Sequence, residues 1–377
     1  MKVLIIARFF YPPAGGAELS LLTLAEELTN KHSVFALCYG ENENRVVYKQ
    51  ISIHYKNLVI KRRESYLRSI FNTIRWRKTI TQEVKTIKPD LILTQLVLSP
   101  MAVKVAKKFG IPTILSLHSY EPFCFISFVN GINCDKKCFK CFKTTKEKLK
   151  HLFFRKELKH YEYSLKKANL VIANGKFMRD ICSEWYGVNS VIIPPFIRLA
   201  DYICENKKST EYITFISPSI IKGANIFLKL ATVLKDRKFL VVSGLTDYEF
   251  KGRFEPLPNV KWIPKTENMR KVYEKTRVLI VPSICPEPFG RVCVEAMSNG
   301  IPCIVSKRGG LPEVVGEGGV IIENPYNIDL WVESIEALDG DDLYYKLSRK
   351  AKEQASKFDI KYTYKEFIRV VSSLTYA

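Results

Sequence analysis

"RVLIVPSICPEPFGRVCVEAMSNGIPCIVS", from Arg277 to Ser306, is the stretch whose reading decides the fold. Its first residues, through Val281, form an apolar, β-branched run of strand length, and "CIVS" at its end is a second. Between them, "ICPEPFG" carries turn residues, and "RVCVEAMSNG" has a helical pattern closed by Asn299 and Gly300, with Pro302 barring continuation. Strand, loop, helix and strand in succession are the unit of a parallel α/β sheet. The loop and the helix start then fall at the carboxyl ends of the strands, where ligands of such sheets bind.

Two carboxylates flank that helix start. Glu287 lies in the loop, and Glu295 lies about one turn inside the helix, leaning back toward the same mouth because helical side chains tilt to the N-terminus. A helix N-terminus offers unpaired N–H groups and a partial positive charge suited to phosphate. Carboxylates accept hydrogen bonds and suit diols, so the pair points to a phosphate with hydroxyl-rich rings on both sides, as in a nucleotide sugar. A milder reading leaves Glu295 serving backbone donors and Glu287 in solvent.

The same rhythm extends outward over the chain. "KVLIIA", "SVFALC", "DLILTQ", "PTILSLH", "LVIAN" and "SVIIPP" read as strands of a first domain; "YITFIS", "KFLVVSG", "VKWIP", "VLIVPS" and "CIVS" read as strands of a second. Helical stretches of the second begin near Gly223, Glu267 and Gly290. The length of 377 residues suits two domains, and the double proline Pro194-Pro195 before a polar segment marks the boundary. The expected division is 1–198, 199–355 and a C-terminal helix over 356–377, for which a return onto the first domain is one option. The fold class is α/β, with two Rossmann-like, doubly wound domains facing each other across an interdomain cleft.

The formal net charge is +21, much of it in "KNLVIKRRESYLRSIFNTIRWRKTI" from Lys56 and "KKCFKCFKTTKEKLKHLFFRKELKHYEYSLKK" from Lys136. Such charge speaks to an anionic partner, a lipid phosphate, membrane surface or nucleic acid, or to solvated helix faces. Leu149, Leu152, Phe153, Tyr161 and Leu165 fall at roughly helical spacing, which favours a helix with its lysines outward. No apolar run is long enough to span a bilayer, and Arg8 interrupts the first one, so a cytoplasmic chain, peripheral on the inner face of the cell membrane, is expected.

"EPFGRVCVEAMSNGIPCIV" resembles the E-x7-E signature of the retaining glycosyltransferases of family 4, which have the GT-B fold. "PPAGGAELSLLTLAEEL" resembles that family's N-terminal glycine loop and first helix, and "GGLPEVV" the segment after the signature. The order and spacing agree, so the resemblance spans nearly the whole chain. It implies that Glu295 holds the ribose hydroxyls of the nucleotide and that Glu287 holds donor-sugar hydroxyls close to the reacting carbon. The backbone N–H groups of Phe289 and Gly290 would also contact the sugar, and His118 would do so from the end of its strand. Lys222 matches the phosphate-binding lysine. Where the family usually has an arginine, this chain has Ser217, which leaves fewer cations for the diphosphate; Arg291 and Lys307 are the nearest that could compensate. Gly15 and Gly16 would let the backbone approach a phosphate or an acceptor.

The implied activity is transfer of a sugar from a UDP- or GDP-sugar to a saccharide or lipid-linked acceptor hydroxyl, with retention of configuration. Polysaccharide or glycolipid synthesis is the expected setting, and no metal is needed for catalysis because Lys222 and helix N-termini stabilise the departing diphosphate. Cys38, Cys182, Cys285, Cys293 and Cys303 sit in apolar settings that suit packing. Cys124, Cys134, Cys138 and Cys141 cluster in sequence and are compatible with structural zinc, an iron–sulfur cluster, free thiols or a disulfide; some family members carry a similar cysteine-rich loop after the matching His. Two alternatives stand beside this reading. One is a nucleotide-sugar epimerase of similar fold. The other is a basic, zinc-containing nucleic-acid-binding protein, which would leave the carboxylate pair unused.

Overall fold

The computed structural model describes residues 1–58, 66–120, 122–124, 144–205, 210–244 and 248–375. The chain divides into two compact units, residues 1–196 with 363–377 and residues 197–362.

In the first unit the described elements are β1 (Lys2–Ile6), α1 (Gly16–Leu28), β2 (Ser33–Tyr39), β3 (Arg45–Tyr48), β4 (Ile51–Lys56) and α2 (Tyr66–Ile87). They continue with β5 (Leu91–Gln95), α3 (Ser99–Phe109), β6 (Thr113–Leu117), α4 (Thr145–Lys167), β7 (Leu170–Ala173), α5 (Lys176–Tyr186) and β8 (Val191–Ile192). The strands form one sheet in the order β3-β4-β2-β1-β5-β6-β7-β8, parallel throughout except for the antiparallel pair β3 and β4. Val3 to Ile6 are fully buried, as a strand covered on both faces by crossover helices must be. Trp76, Ile80 and Val84 of α2 pack with Met101 and Ala102 of α3 over Leu4, Ile6 and Ile92. The Trp76 indole N–H donates to the Leu58 carbonyl at 2.9 Å, so burial of the ring leaves no orphaned donor.

Strands β3 and β4 are absent from the sequence expectations, for a physical reason. Strand β3 lies at the sheet edge with alternate residues exposed. Strand β4 carries His54 in a buried position, which is tolerated because its Nδ1 lies 2.8 Å from the Glu83 carboxylate on α2. A partner supplied by a distant helix leaves no local signal.

The second unit contains β9 (Tyr212–Ile216), α6 (Ala224–Val233), β10 (Lys238–Val242), α7 (Tyr248–Phe254), β11 (Val260–Ile263), α8 (Arg270–Tyr273) and β12 (Thr276–Val281). After these come α9 (Arg291–Met297), β13 (Cys303–Ser306), α10 (Leu311–Val315), β14 (Gly319–Ile322), α11 (Ile328–Ala337) and α12 (Asp341–Ser356). Its sheet is parallel, in the order β11-β10-β9-β12-β13-β14. One face packs on Phe215, Phe227, Phe239 and Trp331, the other on Met297, Leu311 and Ala351. Strand β14, "GVII", also went unanticipated, since its residues 319–321 are only half-buried and carry no strong period.

The last helix, α13 (Ile360–Thr375), begins in the second unit, and its residues from 363 onward belong to the first. There Phe367 meets Phe196 edge to face at 5.6 Å, and the Tyr364 hydroxyl donates to the Glu27 carbonyl at 3.4 Å.

Candidate active site

In the second unit the strand order reverses between β9 and β12, with β10 beyond one and β13 beyond the other. Such a reversal is where a doubly wound sheet holds its ligand, at the carboxyl ends of the strands. The loops leaving these strands are stitched together by backbone hydrogen bonds. The N–H groups of Ile284 and Cys285, after β12, donate to the Ile221 carbonyl, after β9, at 2.9 and 3.2 Å. The approach requires Gly223, which has φ 81° and on which a Cβ would lie 1.9 Å from the Pro282 oxygen. From the other side, the Gly310 N–H donates to the Glu287 carbonyl at 2.7 Å. Gly309, at φ 62°, would place a Cβ 2.2 Å from that same oxygen. The structure therefore brings Lys222, Glu287, Phe289, Gly290 and the "GGLPEVV" glycines to one sheet edge.

Within this edge the side chains have distinct surroundings. Lys222 is half-buried in the turn before α6. Ser217 adopts φ 57°, a conformation uncommon for a residue with a side chain, and its N–H donates to the Val242 carbonyl at 2.8 Å. Gly244 makes room for it, since a Cβ there would lie 2.1 Å from the Ser217 hydroxyl. The Ser283 hydroxyl donates to Glu287 Oε1 at 2.8 Å, and Ser306 donates to the Ser283 carbonyl at 2.6 Å. Phe289 is buried, with its ring edge-on to Phe358 at 5.4 Å, which anchors the loop ahead of α9. Gly290, at φ 109°, makes the turn into that helix.

Glu295 is buried, and both of its oxygens are engaged. Tyr273 donates its hydroxyl to Oε2 at 2.8 Å, and Arg291 Nε donates to Oε1 at 2.7 Å. A further guanidinium N–H of Arg291 donates to the Tyr202 hydroxyl at 2.8 Å. Burial, and then the Glu295 charge, push the Tyr273 phenol well above its usual range; the same two causes push Tyr202 up to about 12. Both phenols therefore stay protonated at neutral pH, Tyr273 as the donor to Glu295 and Tyr202 as the acceptor from Arg291. A carboxylate has about four acceptor positions, so these two bonds leave capacity for a diol.

The two cations considered as substitutes for the missing arginine differ in availability. Arg291 is buried against Glu295, and breaking a buried pair costs about 3–5 kcal/mol. Lys307, just past β13, pairs with Glu323 at 2.7 Å with both side chains more than half exposed, a contact worth about 0–1 kcal/mol. Lys307 is the one that can be recruited cheaply.

The remaining site residues lie in the first unit, whose own strand order reverses between β1 and β5. Gly15 and Gly16 connect β1 to α1, with Gly15 as the residue before the helix. Gly15 is extended, φ −158°, and a Cβ on it would meet nothing closer than Glu18 Oε2 at 3.4 Å. His118 follows β6 directly and is half-buried. Sequence reasoning missed two neighbours: Gln95 ends β5 and Asn174 follows β7, and both are buried. Neither polar atom of the Gln95 amide, nor Asn174 Oδ1, has a hydrogen-bond partner among the described residues. An amide closing the apolar runs "LILTQ" and "LVIAN" was the available signal.

Cys38, Cys182, Cys293 and Cys303 are buried, and Cys285 is half-buried. Cys124 is buried beside Tyr120 and Phe123. Cys134, Cys138 and Cys141 lie outside the described residues, so the proposed metal cluster does too.

A family model described as Glycosyltransferase Family 4 matches residues 14–201, and one described as Glycosyl transferases group 1 matches residues 205–358. The chain belongs to the GT-B glycosyltransferases. Among relatives of this glycosyltransferase, an uncharacterized glycosyltransferase of Methanocaldococcus jannaschii is 26% identical over 368 residues, covering 95% of this chain and 94% of the relative. Among solved structures, the sucrose-phosphate synthase of Thermosynechococcus elongatus matches with a TM-score of 0.79 at 16% identity, covering 99% of both chains. HepE of Anabaena, solved in complex with UDP-glucose, matches with a TM-score of 0.75 at 18% identity over 99% of this chain and 100% of its own. At these identities the two structures speak to the fold.

Proposed function

We propose that this glycosyltransferase transfers a sugar from a nucleoside-diphosphate sugar, UDP- or GDP-linked, to a hydroxyl of a saccharide or lipid-linked acceptor, with retention of configuration. The observation that carries the donor reading is the stitched edge between β9 and β12, where Lys222 and Glu287 stand on loops tied through Ile221. The known neighbour bound to UDP-glucose is consistent with this donor class.

In this reading Glu295 accepts from the ribose hydroxyls through its remaining lone pairs, and Glu287 accepts from the sugar. As the bond to the anomeric carbon breaks, positive charge spreads over the sugar and negative charge over the departing diphosphate. Lys222, the partial positive charge at the N-terminus of α6 and a recruited Lys307 stabilise the leaving charge, so a divalent ion is dispensable. The acceptor hydroxyl attacks the face the diphosphate leaves and passes its proton to the departing phosphate oxygen; Glu287 and His118 keep the sugar in place. Gly15 supports an approach of ligand to backbone, because nothing in the chain's own packing requires a glycine there. Gln95 and Asn174 are candidates to bind acceptor hydroxyls, since a buried amide without a partner calls for one. Polysaccharide or glycolipid synthesis is the corresponding setting.

Titration calorimetry against UDP, GDP and ADP and their sugar derivatives tests the donor site, run beside Glu295→Gln. One nucleotide series should bind, with affinity roughly tenfold or more weaker in the variant, as loss of a charged acceptor predicts. No binding in any series would sink the reading. An inverted anomeric configuration in the product, seen by NMR, would remove the retaining mechanism while leaving the donor site intact.

A further inference from the structure

The cationic helices of the first unit remain outside the donor reading. Helices α2, α3 and α4 pack side by side in that order. Along α2, Trp76, Ile80, Val84 and Ile87 face the core, which leaves the opposite stripe to solvent. That stripe is not simply polar. Phe71 is 59% exposed and Ile74 62%, one turn from each other, with Arg75 and Lys78 following at helical spacing and Arg77 and Lys85 nearby. The Arg75 guanidinium lies 5.6 Å from the Phe71 ring centre. The single carboxylate of α2, Glu83, is buried against His54 and does not offset these charges at the surface.

The adjoining helices repeat the pattern. Phe109 at the end of α3 and Tyr163 on α4 are exposed; Lys107 and Lys108 precede the former, and Lys104 lies 5.5 Å from the ring of the latter. Exposed apolar side chains set among cations on an amphipathic helix are the pattern of a surface that enters the headgroup layer of a bilayer. A nucleic acid would use the cations and the aromatic faces but gain nothing from Ile74, whereas acyl chains accept both apolar residues. No described helix is long and apolar enough to cross a membrane, so contact through a face is the geometry available to the described helices.

We infer that the outer face of α2, centred on Phe71, Ile74, Arg75 and Lys78, docks the enzyme on an anionic phospholipid bilayer. The cations supply attraction that salt screens, and the two apolar side chains supply a component that it does not. This surface goes beyond the donor reading and stands or falls separately from it.

The test is co-sedimentation of the full chain with vesicles of phosphatidylcholine alone and of phosphatidylcholine mixed with phosphatidylglycerol, at low and raised salt. Two variants accompany it, Phe71→Ser/Ile74→Ser and Arg75→Gln/Lys78→Gln. All four positions are exposed, and thermal melting checks that folding is unchanged. The wild type should partition onto the anionic vesicles and not the neutral ones, and loss of two surface cations should weaken partition roughly thirtyfold. The apolar variant should lose the part of the binding that survives raised salt. The inference is overturned by absence of partition, by equal partition onto neutral vesicles, or by wild-type partition of both variants. Binding to an RNA fragment without any to vesicles would likewise overturn it and give the face to a nucleic acid. Nucleotide affinity, measured in the same preparations, should be unchanged by either variant.

Discussion

Glu295 does structural work besides any role with a ligand, because it is the acceptor for two buried donors, Tyr273 and Arg291. Glu295→Ala would strand the Arg291 charge in the interior and should destabilise the second unit by about 3–5 kcal/mol, read as a shift in its urea midpoint. Glu295→Gln keeps the shape and one acceptor oxygen and should cost less. Equal midpoints for the alanine variant and the wild type would mean that the network is not formed. For the same reason the glutamine variant is the cleaner probe of nucleotide binding. Glycines divide in a similar way. Gly309→Ala puts a Cβ 2.2 Å from the Glu287 oxygen at a positive φ, so it should lower the melting temperature and weaken donor binding together. Gly15→Ala meets only Glu18 at 3.4 Å and should change stability by no more than about 0.5 kcal/mol. If Gly15→Ala nevertheless abolishes transfer, the glycine serves a ligand.

At the scale of elements, the contact between β4 and α2 carries a pH dependence. The hydrogen bond from His54 comes first among the causes that hold the Glu83 carboxyl below its ordinary value of 4.5; burial opposes it, and Lys56 and Arg45 reinforce it. A depressed carboxyl stabilises the fold above the unfolded value, and that stabilisation drains away as pH falls through the lower folded value. Glu83→Gln should therefore cost about 1–3 kcal/mol at neutral pH, and the gap to wild type should close below pH 4.5. Denaturation midpoints of both proteins across that range measure it; a gap that persists undiminished in acid would show that the ionised Glu83 carboxylate is not the cause. The same helix shows how much an element owes to its surroundings. Its basic charge stood out in the sequence, but the buried stripe of Trp76, Ile80 and Val84 and the apolar residues opposite it were not read from that charge.

For the whole molecule, the exchange of the chain's end between units has a testable consequence. Residues 363–377 belong to the first unit, where Phe367 is buried against Phe196. Deleting them removes the buried side chains of Phe367, Val370 and Val371 and uncovers Phe196, so the first unit should unfold at lower temperature. On the proposed donor reading, nucleotide protects the transition of the second unit, and that transition should move little. A calorimetric scan with and without UDP separates the two; a deletion that lowers only the nucleotide-protected transition would contradict the assignment.

Much of this was legible in the chain alone. Apolar runs such as "KVLII" and "RVLIV", separated by capped helices, dictated two parallel α/β sheets, because a strand covered on both faces has to be apolar throughout. The glycines and carboxylates from Glu287 to Gly310 marked the candidate site, and the structure places the glycines where the backbones approach closely. What the tertiary structure decided were relations between distant residues. It buried Arg291 against Glu295 and Tyr202, left Lys307 on an exposed partner, paired His54 with Glu83, and left the Gln95 amide without one among the described residues. Each depends on which side chain arrives from another element, and periodicity along a strand or helix carries no information about that arrival.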